Sequence, residues 1–299
     1  MLTFLPHWLR GSLIMLLMVC STLILVPLLL CVAMLKLLIP IASTRRWLTI
    51  VCIEIANLWV GFNNLLLQVV NNISWDVEGD EGLNPDDWYF VTCNHQSWAD
   101  ILVVQRVLFR KIPMLKFFLK QQLIWVPVIG LAWWALDFPF MKRYSAAEIT
   151  KNPALKGKDL ETTQKACEKF KYTPVTVFNF MEGTRLTPDK HAKQESPYPY
   201  LLKPKAGGAA FVLGAMGEQL HTMLNITIHY PSDDRSIWHF LSGRINKVVI
   251  RIERQTIPSQ FLSRDYLSDQ RFRTEFQQWV SELWAHKNHL LEELHKPSK

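Results

Sequence analysis

The sequence predicts an α/β body carried on an apolar helical anchor. Three observations predict it: an uncharged run of 23 residues from Leu13 to Leu35, a change of composition after Val70, and then strand-like segments separated by helical ones. The anchor is assigned to residues 1–71, as one or two hydrophobic helices. Residues 72–299 form the α/β domain and its C-terminal helix.

The Leu13–Leu35 run, as helix, would be roughly 34 Å long against a hydrocarbon core of about 30 Å. It exceeds the usual signal-peptide core, and Leu29-Leu30-Cys31 lacks the small residues of a lipoprotein cleavage site. Trp47–Val70 is apolar but interrupted by Glu54, Asn57, Asn63, Asn64 and Gln68. It reads as a second spanning helix, a re-entrant piece or an interfacial helix. Arg10 before the first run and Lys36, Arg45 and Arg46 after it leave the positive-inside rule balanced.

Strands are expected at 73–78, ending on the Gly79-Asp80 turn, then at 88–93, 173–180, 224–229 and 247–252. Helices are expected at 101–109, 116–122, 161–170 and 207–216. Beyond Pro258 the stripe Phe272, Phe276, Trp279, Val280, Leu283 and Trp284 has helical spacing and reads as core or docking surface.

The formal charge of +7 fits an anionic partner. Scattered basic residues, without zinc-finger spacing or zipper heptads, favour a phospholipid surface over nucleic acid. Five cysteines without a CxxC pair argue against a disulfide framework or structural zinc. Cys93 reads as a packing thiol at a strand end. Neither G-x-S-x-G nor G-x-x-x-x-G-K-[ST] occurs, which weakens hydrolase and nucleotide-triphosphatase readings. His229 and His239 form no tight ligand cluster with carboxylates, so neither a metal nor a resident cofactor is required.

Two segments carry chemistry. Asn94-His95-Gln96-Ser97-Trp98-Ala99-Asp100 offers a general base and a carboxylate to orient it. On one straight helix His95 and Asp100 would sit about 140° apart, so contact requires His95 in a turn and Asp100 in the first helical turn. Ser97, three residues before Asp100, resembles a capping pair that would place them so. Phe180-Met181-Glu182-Gly183-Thr184-Arg185 follows an apolar strand. Its glycine permits a tight approach, its threonine adds a hydroxyl, and its arginine is suited to phosphate. Lys142-Arg143, after an aromatic run, and Lys203-Pro204-Lys205 supply further basic spots. Together with the apolar anchor, these residues suggest activation of a hydroxyl on a phosphate-bearing lipid.

With both segments in view, the chain resembles the glycerolipid acyltransferases that include 1-acyl-glycerol-3-phosphate (lysophosphatidate) acyltransferases, as a bacterial inner-membrane member. Asn94-His95 with Asp100 matches the family's N-H-x-x-x-x-D motif, and Phe180–Arg185 its F-P-E-G-T-R block. The resemblance implies a mixed sheet flanked by helices. It also implies His95 as base, Asp100 as its orienter, and an acceptor site shaped by Glu182, Gly183, Thr184 and Arg185. Arg143 fits the arginine of the family's second block, and Lys205 a downstream basic position. The expected reaction moves a fatty acyl group from acyl-coenzyme A or acyl-acyl carrier protein to the sn-2 hydroxyl of lysophosphatidate, at the inner membrane with the catalytic domain on the cytoplasmic side. Lysocardiolipin or lysophosphatidylglycerol as acceptor, or a non-catalytic anionic-lipid-binding protein, are the alternatives. Met181 stands where the family has proline, and the proline-containing fourth block is missing.

Overall fold

The structure, a computed structural model, describes residues 2–141, 151, 161, 167, 170, 173–217, 219–264, 266 and 269–296. Two long helices open the chain, α1 (His7–Leu38) and α2 (Ala42–Val70), packed as a hairpin. Each is long and apolar enough to cross a membrane. Most of their apolar surface faces outward, Leu16, Leu23, Ile24, Trp47 and Leu58 included, a surface fit for lipid.

The hairpin does not stand away from the body. At one end His7 Nδ1 bonds Ser242 O (3.0 Å), while Asn71 Nδ2 donates to Leu241 O (2.9 Å). At the other end of α1, Lys36 pairs with Asp137 of the body. Midway along α2, Arg110 pairs with Glu54 at 2.8 Å. α1 therefore lies along the body over most of its length.

The body is built on a six-stranded mixed sheet in the order β1-β8-β7-β2-β6-β3. These strands are β1 (Ser74–Glu78), β2 (Tyr89–Cys93), β3 (Leu115–Phe117), β6 (Thr176–Phe180), β7 (Thr222–His229) and β8 (Lys247–Thr256). Only β7 and β8 pair antiparallel. A second, two-stranded sheet pairs β4 (Leu119–Lys120) with β5 (Phe140–Met141). β2 is buried along its whole length, as expected of a central parallel strand covered on both faces. Its alternation divides the core: Tyr89, Val91 and Cys93 join one apolar cluster and Phe90 the other.

The helices of the body described in full are α3 (Ala99–Leu108), α4 (Ile129–Ala135), α5 (Pro188–Gln194), α6 (Ala206–Met216), α7 (Ile237–Leu241) and α8 (Gln270–His295). α8 carries the expected aromatic stripe, and that stripe is core: Phe272, Phe276, Val280 and Trp284 are all buried. The helix expected at 116–122 is instead strand β3, strand β4 and a 3-10 turn, Gln121–Trp125. Tertiary packing decides it. Lys116 is buried with Nζ on Leu136 O, while Phe117 stacks among Phe138, Phe178 and Phe180 at the sheet edge. The expected helix 161–170 falls mostly outside the described residues.

Candidate active site

Register places the site. Cys93 pairs with Phe180 on one side and Ile226 on the other, so β2 and β6 end together while β7 runs on to His229. The segments following the first two are those bearing the two motifs, at the C-terminal ends of parallel strands where α/β sheets bind ligands. Asn94 extends the ladder beyond β2: its side chain donates to Ile228 O (2.9 Å) and accepts from Ile228 N–H (2.8 Å), mimicking a peptide unit.

The His95–Asp100 contact forms as the turn-then-helix geometry requires. α3 starts at Ala99, and His95 Nδ1 lies 2.9 Å from Asp100 Oδ2. The same oxygen accepts from the backbone N–H of Gln96 (2.7 Å) and Ser97 (2.9 Å), and Ser97 Oγ accepts from Ala99 N–H at 3.1 Å. Asp100 thus reaches back to Ser97 N–H as in one half of a capping box, while Ser97 Oγ takes the N–H of Ala99 and not that of Asp100. The other oxygen accepts from Tyr230 O–H at 2.7 Å. Asp100 is fully buried with four donors converging on it, so it is held as a pure acceptor. Nδ1 is thereby committed, leaving Nε2 for chemistry. The imidazole also stacks on Phe180, centroids 4.0 Å apart and 14° from parallel, so the first residue of the second motif packs the histidine of the first.

Glu182 turns inward. Fully buried, it accepts from the backbone N–H of His95 (2.9 Å) and of Leu202 (3.0 Å). Leu186 N–H donates to His95 O at 2.8 Å, so both backbone polar groups of His95 are tied to the β6 loop. Burial pushes the Glu182 carboxyl up to about 7, against the pull of those two N–H groups. Glu182 thus sits where it positions His95.

Gly183, Thr184 and Arg185 do face the open space. Gly183 has φ +67°, a left-handed turn that favours glycine. With His95, Phe117, Phe180 and Lys120 the three line a cavity of about 330 Å³. The Arg185 guanidinium lies 4.5 Å from the Trp98 ring centre, and Lys190 Nζ braces the loop through Thr184 Oγ1 (2.7 Å) and Arg185 O (3.1 Å). Met181, at the proline position, is buried, and its carbonyl accepts from Lys205 N–H at 2.7 Å. Lys205 is exposed and outside the cavity lining, and Arg143 lies outside the described residues. Cys93 is wholly buried, and burial pushes its thiol well above the ordinary range, the state of an inert packing thiol. No group of three or more His, Cys, Asp or Glu side chains among the described residues is arranged to hold a metal ion.

Tyr230, Lys190, Lys120 and the peptide-like role of Asn94 escaped the sequence reading. Tyr230 sits one residue past an expected strand, and no spacing signals which carboxylate it will meet.

Residues 74–229, more than half of the chain, match the acyltransferase family, to which this chain belongs. Comparison with curated proteins returns no match. Among solved structures, the 1-acyl-sn-glycerophosphate (LPA) acyltransferase PlsC of Thermotoga maritima superposes with a TM-score of 0.55 at 19% identity, covering 98% of this chain and 100% of that one. At that identity the likeness speaks for the fold, from the apolar hairpin to the C-terminal helix.

Proposed function

We propose that this acyltransferase moves a fatty acyl group from a thioester to the sn-2 hydroxyl of lysophosphatidate, forming phosphatidate. The observation that carries the reading is one cavity lined both by His95, its Nδ1 held by Asp100, and by Arg185 with Lys120. His95 Nε2 takes the hydroxyl proton as the oxygen attacks the thioester carbonyl, and Asp100 stabilises the imidazolium. Collapse of the tetrahedral intermediate expels the carrier thiolate, which receives that proton. The acceptor phosphate lies against Arg185 and Lys120. A phosphate monoester suits two cations, and the Thermotoga maritima protein of like fold is named for that acceptor.

The apolar hairpin holds the enzyme at the inner membrane, with the catalytic domain on the cytoplasmic side. The ties of α1 to the body at both ends support a hairpin seated in one leaflet rather than crossing it. A labelled acyl thioester offered with a panel of lysophospholipids tests the acceptor. Transfer to lysophosphatidate well above the others is expected; equal transfer to lysocardiolipin or lysophosphatidylglycerol would overturn the acceptor assignment.

A further inference from the structure

α8 buries an apolar face along most of its length. Phe272, Phe276, Val280, Leu283 and Trp284 recur at helical spacing and join the cluster that contains Phe90. The next position on that face is Lys287, three residues past Trp284, and it is fully buried. Its Nζ donates to Ile226 O and to Thr227 Oγ1 (3.3 Å), and lies 5.5 Å from the centre of the Trp284 ring. Among the described residues no carboxylate is paired with it. The groups that act on its charge from other elements are Cys93 on β2, Glu253 on β8 and Glu182 in the loop after β6. Of these, Glu253 is already engaged by His286 of α8 and by Asn225 Nδ2 (2.7 Å).

A buried, unpaired ammonium is costly, and a methionine of like length would fill the same space at less cost. What Lys287 touches is the frame of the reaction site. Ile226 pairs with Cys93, one residue before Asn94, and Thr227 precedes the Ile228 peptide that Asn94 grips from both sides. Two residues further along, Tyr230 donates to Asp100. Glu182, which holds the His95 N–H, feels the same ammonium: its positive charge opposes the burial that drives the carboxyl toward its neutral form. Burial pushes Lys287 itself down to about 8.

We infer that Lys287 is a positioning residue for His95, acting from α8 through the end of β7 and through the Glu182 carboxyl. The inference rests on the transfer reading above for its kinetic tests, though not for its spectroscopic one. Lys287 is no part of the reaction cavity's lining, so the amine meets no substrate there. It acts by fixing the strand end and the buried charge between which His95 is held.

Lys287→Met keeps the length of the side chain and removes its charge. It should lower kcat about tenfold near pH 7, the scale of one hydrogen bond to a charged group, with the KM for both substrates unchanged. Lys287 sheds its own proton as pH rises through about 8, so the gap between wild type and variant should close over that range. A gap due to packing alone would be the same at every pH. In a Glu182→Gln background the substitution should cost less than in the wild type, because one of its two routes to His95 is gone. Thr227→Val keeps the ammonium and removes one of its acceptors, and should lower kcat by less; if Lys287→Met does not fold, an unchanged kcat in Thr227→Val overturns the inference. Without substrate, the downfield Nδ1–H proton resonance of His95, identified by its absence from His95→Ala, should move in Lys287→Met. Such movement in a protein that transfers no acyl group upholds the positioning role while the transfer reading falls. An unmoved resonance with an unchanged kcat in folded Lys287→Met, or a kcat deficit equal at every pH and additive with that of Glu182→Gln, would overturn it.

Discussion

At the scale of single residues, the site depends on who holds the holders. Asp100 orients His95, but Tyr230 and two backbone N–H groups orient Asp100. Removing the phenol hydroxyl should cost about one buried hydrogen bond, 0.5–1.5 kcal/mol. Tyr230→Phe is therefore expected to lower kcat roughly three- to tenfold with little change in KM; steady-state kinetics check it, and an unchanged kcat would remove Tyr230 from the positioning set.

Glu182 carries a pH signature. Its folded value, about 7, lies above the ordinary glutamate value, so the folded state binds the proton more tightly than the unfolded chain does. Its contribution to stability is then fully present below about 4.5 and is lost as pH rises through about 7. The melting temperature of the wild type relative to Glu182→Gln should accordingly fall between pH 5 and pH 8, in thermal melts in detergent. A difference that rises with pH over that range would contradict the assignment.

At the scale of elements, the strand ends were legible because β2 and β6 are short apolar runs that stop at the motifs, and α3 because Ser97 and Asp100 mark its start. Segment 116–122 was not, because only the three-dimensional edge of β6 makes Lys116-Phe117 a strand. Periodicity cannot see the partner across a sheet. The inward turn of Glu182 was hidden for a similar reason: its partners are backbone groups at 95 and 202, and backbone groups carry no sequence signal. The hairpin seat is likewise tertiary. Gly243 has φ +72°, and a Cβ there would come within 2.5 Å of Asn71 Oδ1 and 2.7 Å of an Arg10 guanidinium nitrogen. Gly243→Ala should thus destabilise by more than about 1 kcal/mol and loosen the hairpin from the body. Faster proteolysis within 71–73 would report that loosening; wild-type resistance and stability would argue against it.

At the scale of the whole molecule, the hairpin, the exposed Trp125, Leu131 and Trp134 around α4, and the apolar side of the reaction cavity belong to one lipid-facing side. A protein seated in one leaflet keeps both ends of its hairpin on the side of its catalytic domain. With Cys20 and Cys31 replaced by alanine, a Ser43→Cys reporter in the first turn of α2 should react with an impermeant thiol reagent from the same side as one at Ser232. Labelling of the two from opposite sides would mean that α1 crosses.

The central proposal is direct acyl transfer with His95 Nε2 as the base. Its most direct test is transfer of labelled acyl group to lysophosphatidate by purified wild type, His95→Ala and Asp100→Asn in bilayers. The wild type should form phosphatidate, His95→Ala should lose at least about 10²-fold to 10⁴-fold of the rate, and Asp100→Asn should fall between them. A folded, membrane-bound His95→Ala protein that still transfers at the wild-type rate would contradict the account.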